Sequence, residues 1–252
     1  TRRTLIKSSA GLATVAGFAW LKPSDIGQAH TAYFHTLSAA LDKQGIASPT
    51  LIIDQSLLKQ NIQTLKQHIY PDFNYRIVAK SLPSVPMLKW ISEQADTKRF
   101  MLFNERFAAQ VARQIVGADI LMGKPLPVNA ARSFYRDLEG SDFQAQHKMQ
   151  WLIDSPARLK QYQALAEQLD QTFNINIELD VGLHRGGVAD TETLLTLLQQ
   201  IAASRSLEFS GFMGYEPHVV KIPGNAKGHL ADAMQIYTQR IDEAEQFFGA
   251  PL

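Results

Sequence analysis

NYRIVAKSLPS, residues 74–84, runs through a short apolar stretch to a lysine and then breaks. Residues 75–80 have the length and apolar content of a buried strand. Ser81-Leu82-Pro83 follows Lys80, and a helix is predicted to begin near Ser84 with Pro86 in its first turn. Strand, polar break and helix form the unit whose repetition decides the fold. A lysine that closes such a strand is either a solvated charge at a loop mouth or an amine held in a pocket.

The unit recurs. Upstream, TLIID (50–54) precedes a helix that puts Leu58, Ile62, Leu65 and Ile69 on one face. Downstream, RFMLFN (99–104) leads into a helix carrying Phe107, Val111 and Ile115, stopped by Gly117. DILMG (119–123) precedes a helix over 129–138. QWLID (150–154) meets Ser155-Pro156, a cap and first-turn pair, and then Leu159, Tyr162 and Leu169. INIELDVG (175–182) precedes a helix over 191–203, and LEFSGFMGY (207–215) one over 230–247.

Even alternation of this kind predicts parallel βαβ units. No G-x-G-x-x-G follows an early strand, so a TIM-type (β/α)8 barrel is expected rather than an open dinucleotide-binding sheet. Six units can be counted from Tyr75. TLIID would add a seventh only by joining the barrel, and closure needs eight. The barrel is therefore expected to be incomplete.

Composition bounds the function. The chain has 252 residues, 45% hydrophobic and 19% charged, which suits one globular α/β domain. A net charge of +1 gives no electrostatic case for nucleic acid. Without cysteine there is no disulfide, no thiolate metal site and no Cys nucleophile.

The first thirty residues stand apart. Arg2 and Arg3 are followed by Leu5, Ile6 and Lys7, then a mildly apolar run over 8–21 and Pro23. The run is short of the roughly 20 apolar residues a membrane span requires, so no stable membrane insertion is expected. Thr1-Arg2-Arg3-Thr4-Leu5-Ile6-Lys7 resembles a twin-arginine export signal, with Leu5 where Phe is commoner. Residues 1–30 are read as that signal, and the destination as the periplasm. Residues 31–252 are read as the barrel domain.

In βα folds reactive groups gather where strands end. Lys80 closes the first barrel strand, Asn104 and Glu105 the second, ELDVGLHRGGV (178–188) the fifth and GYEPH (214–218) the sixth. Strand parity puts Ile175, Ile177, Leu179 and Val181 on one face and Asn176, Glu178 and Asp180 on the other. Arg76, Val78 and Lys80 likewise share a face. Carboxylates turned into a barrel require cationic or donor partners, so an interior ion network with Lys80 at its mouth is expected. Parity alone leaves open whether that network is structural or functional.

YRIVAKSLPS, ELDVGLHRGGV and FSGFMGYEPH, in this order and spacing, resemble the D-threonine aldolase and D-serine dehydratase-like family. These are pyridoxal-phosphate enzymes built on the alanine-racemase-type barrel, and the resemblance runs from about Pro49 to the end. The family's first barrel strand typically reads Arg-Pro-His-x-Lys-Thr-His-Lys, and its lysine holds the cofactor through a Schiff base. Arg76 and Lys80 match that arginine and that lysine. Ile77 and Val78 replace Pro and His, and Ser81-Leu82-Pro83 replaces Thr-His-Lys.

The family's Asp-Val-Gly-x-x-Arg-x-Gly matches residues 180–187, and Arg185 resembles the arginine beside the cofactor's phenolic oxygen. It could equally close the interior carboxylate network. Tyr215 and His218 stand where the family often has Tyr-x-Gly-His, with Pro217 in place of the glycine, and could line the pocket or be ordinary loop residues. Arg76, Lys80, Arg185, Tyr215 and His218 are thus the candidate cofactor residues, Lys80 being the catalytic one. None is assigned to a metal.

What the resemblance implies is a lyase, aldolase or dehydratase, of D-amino acids, especially β-hydroxy ones such as D-threonine or D-serine. A racemase on the same barrel and a non-catalytic pyridoxal-phosphate carrier are the alternatives. The family's phosphate-binding glycine turn and its C-terminal β domain, with a divalent metal, are not found by residue 252. The sequence is therefore expected to be a shortened member, inactive alone, that would be a homodimer at full length.

Overall fold

The computed structural model describes residue 27, residues 29–221 and residues 224–252. The signal reading falls on residues 1–30, which apart from 27, 29 and 30 lie outside the described residues. Among the described residues no helix is long and apolar enough to cross a membrane. The chain divides into two compact units, residues 1–54 and 55–252.

The described part of the first unit is built on helix α1 (Ala32–Lys43), with no buried residue. Tyr33 donates its hydroxyl to Asp54 at 3.0 Å. Residues 50–54 form no strand, and Leu51, Ile52 and Ile53 are exposed. The apolar run TLIID therefore supplies no seventh strand.

The second unit alternates as the sequence predicts. After α2 (Gln55–Gln67) come β1 (Ile77–Val78), α3 (Val85–Ala95), β2 (Arg99–Leu102), α4 (Glu105–Gln114), β3 (Asp119–Met122) and α5 (Val128–Asp137). Then follow α6 (Ala145–Lys148), β4 (Met149–Ile153), α7 (Pro156–Leu169), β5 (Phe173–Leu179) and α8 (Thr191–Ala202). The unit closes with β6 (Leu207–Gly214), α9 (His218–Lys221) and α10 (Ala226–Phe248). The single turns α6 and α9 are too short to leave a periodic signal in sequence.

Helix starts follow their caps. Ser84 accepts from the amide of Met87, Asn104 from Phe107 and Asp190 from Thr193. Asn225 accepts from Gly228, which starts α10 four residues before the expected Leu230. Ser155 takes the cap position of α7 without a side-chain bond.

The six strands form one parallel sheet in the order β1-β2-β3-β4-β5-β6. That order, with a helix after every strand, is the incomplete (β/α)8 arrangement the sequence predicts. One face of the sheet and the surrounding helices enclose the main core, centred on Phe100, Phe134, Trp151, Tyr162 and Phe173, all fully buried. Full burial of each such side chain contributes about 1.5–3 kcal/mol. The opposite face, the barrel interior, carries a small apolar layer of Leu121, Leu152 and Met213 with Met101 packed on it.

Beside that layer lies a polar one. Arg76 Nη1 donates to the Asp119 carboxylate at 2.6 Å and to the carbonyls of Asp119 and Phe100. Gln150 donates to the same carboxylate, and Asn176 donates to Gln150 and to Ser210. The last contact depends on a bulge. β6 has one extra residue, Ser210, between Phe209, which pairs with Ile175, and Gly211, which pairs with Asn176. The expected interior network exists, but its members are Arg76 and Asp119 with three uncharged residues rather than Glu178 and Asp180.

Candidate active site

Lys80 emerges two residues beyond β1, at the C-terminal end of the sheet. Ala79 keeps the extended run attached by donating its amide to Met101. The Lys80 ammonium is exposed and lies 5.4 Å from the centroid of the Phe103 ring, within cation–π range. Phe103 can lie there because residue 123 is glycine. A Cβ at that position would stand 2.5 Å from the ring. Among the described residues no carboxylate forms an ion pair with Lys80.

At the end of β5, Glu178 points into the interior with its side chain 6% exposed, and Arg185 donates to it at 3.2 Å. Burial raises the Glu178 carboxyl above the ordinary carboxylate range, and the bond and charge of Arg185 oppose that rise. The Arg185 guanidinium also lies 4.6 Å over the ring of Tyr215, just past β6. It neutralises a buried carboxylate, and it remains over a third exposed at the strand ends.

His218, the first residue of α9, packs on the same loop. A Cβ at Gly182 would come 3.2 Å from its Nε2. Its Nδ1 is buried and has no hydrogen-bond partner among the described residues, an uncommon state for a buried polar atom.

The structure therefore brings Arg185, Tyr215 and His218 together, and sets Lys80 on the same C-terminal side of the sheet. Arg76 lines a cavity with Val181, Gly214 and Glu216, at the ends of β5 and β6. It precedes β1, and its hydrogen bonds go to Asp119, the first residue of β3, and to Phe100, the second of β2, so its polar contacts belong to the interior network. Asp180 also departs from the parity expectation. β5 ends at Leu179, and the carboxylate turns back to accept from Gly182 and His184. Phe103 and His184 went unrecognised in the sequence. Phe103 reads as one more apolar strand residue, and His184 occupies a variable place in the Asp-Val-Gly-x-x-Arg pattern.

This donor set fits the aldehyde-and-ring part of pyridoxal phosphate. An unpaired amine suits the aldehyde, a fixed guanidinium suits an anionic ring oxygen, and the unpartnered His218 nitrogen lies beside the loop that carries the guanidinium. Among the described residues no group of three or more His, Asp or Glu is placed to hold a metal ion.

The sequence profile of the alanine racemase N-terminal domain matches residues 53–248. No curated protein matches the chain. Among solved structures, D-threonine aldolase from Filomicrobium marinum superposes with a TM-score of 0.68 at 17% identity, over 80% of this chain and 54% of that one. D-threo-3-hydroxyaspartate dehydratase from Delftia sp. HT23 gives 0.66 at 19% identity, over 82% and 53%. Alanine racemase from Bacillus anthracis gives 0.63 at 16% identity, over 81% and 51%. The chain thus spans about half the length of the solved structures it matches.

At these identities the likeness is one of fold. Pyridoxal phosphate is the cofactor of the enzymes that share this fold, and their substrates are small molecules. Since the profile spans every strand and helix of the parallel sheet unit, the chain belongs to the alanine racemase N-terminal domain family.

Proposed function

We propose that this chain is the barrel part of a pyridoxal-phosphate-dependent lyase of D-amino acids, with β-hydroxy ones such as D-threonine or D-serine as substrates. The observation that carries the reading is Lys80, an amine at the C-terminal end of the first strand, over an aromatic ring and outside any ion pair among the described residues. The aldolase-like order of the three sequence motifs supports the substrate class, as does the fold shared with an aldolase and a dehydratase.

The bound cofactor supplies an electron sink that weakens bonds at the α-carbon of an attached amino acid. Lys80 Nζ, at the strand end and over the Phe103 ring, would be the amine that holds the cofactor at its aldehyde. Arg185 presents donors to an anionic ring oxygen, and Glu178 and Tyr215 keep it from swinging into solvent. The same proposal includes export through a twin-arginine signal, supported by Arg2-Arg3 and the run after them, and a homodimer. It also includes the need for further strands: β1 and β6 end the sheet without pairing to each other among the described residues, so the 252-residue chain alone is expected to turn over neither D-threonine nor D-serine.

The test needs no turnover. The purified chain is incubated with pyridoxal 5'-phosphate, reduced with borohydride and mapped by mass spectrometry. The pyridoxyl group should sit on Lys80 and vanish in Lys80→Ala. Labelling at Lys89 or Lys124 instead would remove the site from this position. Where turnover is seen in a longer form, the products separate the reactions. Cleavage of D-threonine gives glycine and an aldehyde, dehydration gives a keto acid and ammonia, and a racemase gives the L isomer.

A further inference from the structure

We propose that His184 is a positioning residue that, through Asp180, clasps the loop between β5 and α8 so that Arg185 is held toward the cofactor's ring. The proposal deepens the cofactor-site reading and rests on it for the identity of the ring, but the clasp itself is a property of the chain. It begins with backbone conformation. His184 has φ of 54°, in the left-handed region that a side chain with a Cβ adopts only at a cost.

What offsets that cost is one carboxylate. Asp180 Oδ1 accepts the amide of His184 at 2.9 Å and that of Gly182 at 3.1 Å. Its Oδ2 lies 2.8 Å from His184 Nδ1. Burial pushes the Asp180 carboxyl upward, but the donors of His184 and Gly182 outweigh it and the net shift is down, so the acceptor is anionic at neutral pH.

The neck of the loop is closed separately. Asp180 donates its amide to Val188, and Val188 donates to Glu178. Gly187, at φ 100°, passes so close that a Cβ there would be 2.6 Å from the Asp180 nitrogen. Between neck and clasp the long side chain that turns inward is that of Arg185, the residue after His184. Its backbone is fixed by the Asp180 clasp and its guanidinium by Glu178 and Tyr215. The His184 side chain is 82% exposed, so it adds little packing to the core. What that side chain adds is the single Nδ1 contact to Asp180, since the amide bond to Oδ1 belongs to the backbone.

The experiment compares wild type, His184→Ala and His184→Asn. Asparagine tolerates the left-handed region and its amide can donate to Asp180, so it should restore what alanine removes. The first readout is the set of Arg185 guanidinium signals in the ¹⁵N spectrum, which stay distinct while the ion pair with Glu178 hinders rotation. The second is borohydride capture of pyridoxal 5'-phosphate at Lys80 at sub-saturating cofactor, normalised to folded protein.

The expectation is that His184→Ala averages the Arg185 signals and lowers capture about threefold, in keeping with the small worth of an exposed ion pair, and that His184→Asn recovers both. Unchanged Arg185 signals in the alanine variant would overturn the proposal. So would a loss of capture that merely follows a loss of folded protein. If wild type shows no capture at Lys80, the cofactor reading falls, and the Arg185 signals alone then decide whether the clasp exists.

Discussion

Arg76 and Asp119, forty-three positions apart, meet at 2.6 Å and join the entry of β1 to the first residue of β3 across the head of β2. β1 pairs with β2 over only Ile77 and Val78, extended by the Ala79 amide to Met101 and the Thr97 hydroxyl to Tyr75. The ion pair and its carbonyl contacts therefore reinforce a short lateral hold on the strand that delivers Lys80. Both side chains are about one-fifth exposed, so the pair is neither a surface bridge nor a fully buried one. Arg76→Met should destabilise the fold by on the order of 2 kcal/mol, because it leaves the Asp119 carboxylate with Gln150 as its remaining side-chain donor. Urea unfolding measures it. A midpoint equal to wild type would remove the network from the support of β1.

Gly123 should not accept a methyl group. In Gly123→Ala the new Cβ would meet Phe103 at 2.5 Å and Met101 Cγ at 2.8 Å. Phe103 is only partly buried and can swing out, so the cost should fall in the range of about 1–3 kcal/mol typical of overpacking. The swing takes away the ring under Lys80 and should alter the rate of pyridoxal phosphate capture. Adding Phe103→Ala should relieve the part of the clash owed to the ring, so the two losses should sum to less than additive, and additive losses in the double variant would show that the two residues do not clash.

Acid should loosen α10 from α8. Arg240, 7% exposed, donates to both carboxylate oxygens of Glu243, to Thr191 and to the carbonyl of Ala189. Burial pushes Glu243 upward, but the donors of Arg240, Gln239 and Thr191 prevail and its pKa is lowered. A carboxyl depressed in the folded state stabilises fully above its unfolded value, about 4.3, and that contribution is lost as pH falls through the folded value. Thermal midpoints between neutral pH and pH about 3 should therefore drop more steeply for wild type than for Glu243→Gln. Parallel curves would assign the acid sensitivity elsewhere.

Export is checked with a reporter active only in the periplasm, fused after Ala29. Its activity should depend on the twin-arginine machinery. If replacing Arg2 and Arg3 by lysine leaves transport intact, residues 1–30 are not that signal.

Which segments become strands and helices was legible in the chain. Apolar runs of four to eight residues, the helix start at Ser84 and the stop at Gly117 are local features, and local features act within a turn or a strand length. The run at 50–54 shows the limit of that reading. Its composition suits a strand, but a strand needs a neighbour, and composition names none.

The positions of Lys80 and Arg185 could be read for the same reason, since each lies where a strand must give way to a loop. Which charge meets which is another matter. Asp119 rather than Glu178 receives Arg76, Glu178 receives Arg185, and Asp180 turns aside to hold His184. Sheet order brings Arg76 to Asp119, and a left-handed residue in a closed loop brings His184 to Asp180 and Arg185 to Glu178. Alternation states only which face a side chain takes. Ion pairing depends on a few ångströms between atoms far apart in sequence or turned by an unusual backbone angle, and that distance exists only once the sheet has formed.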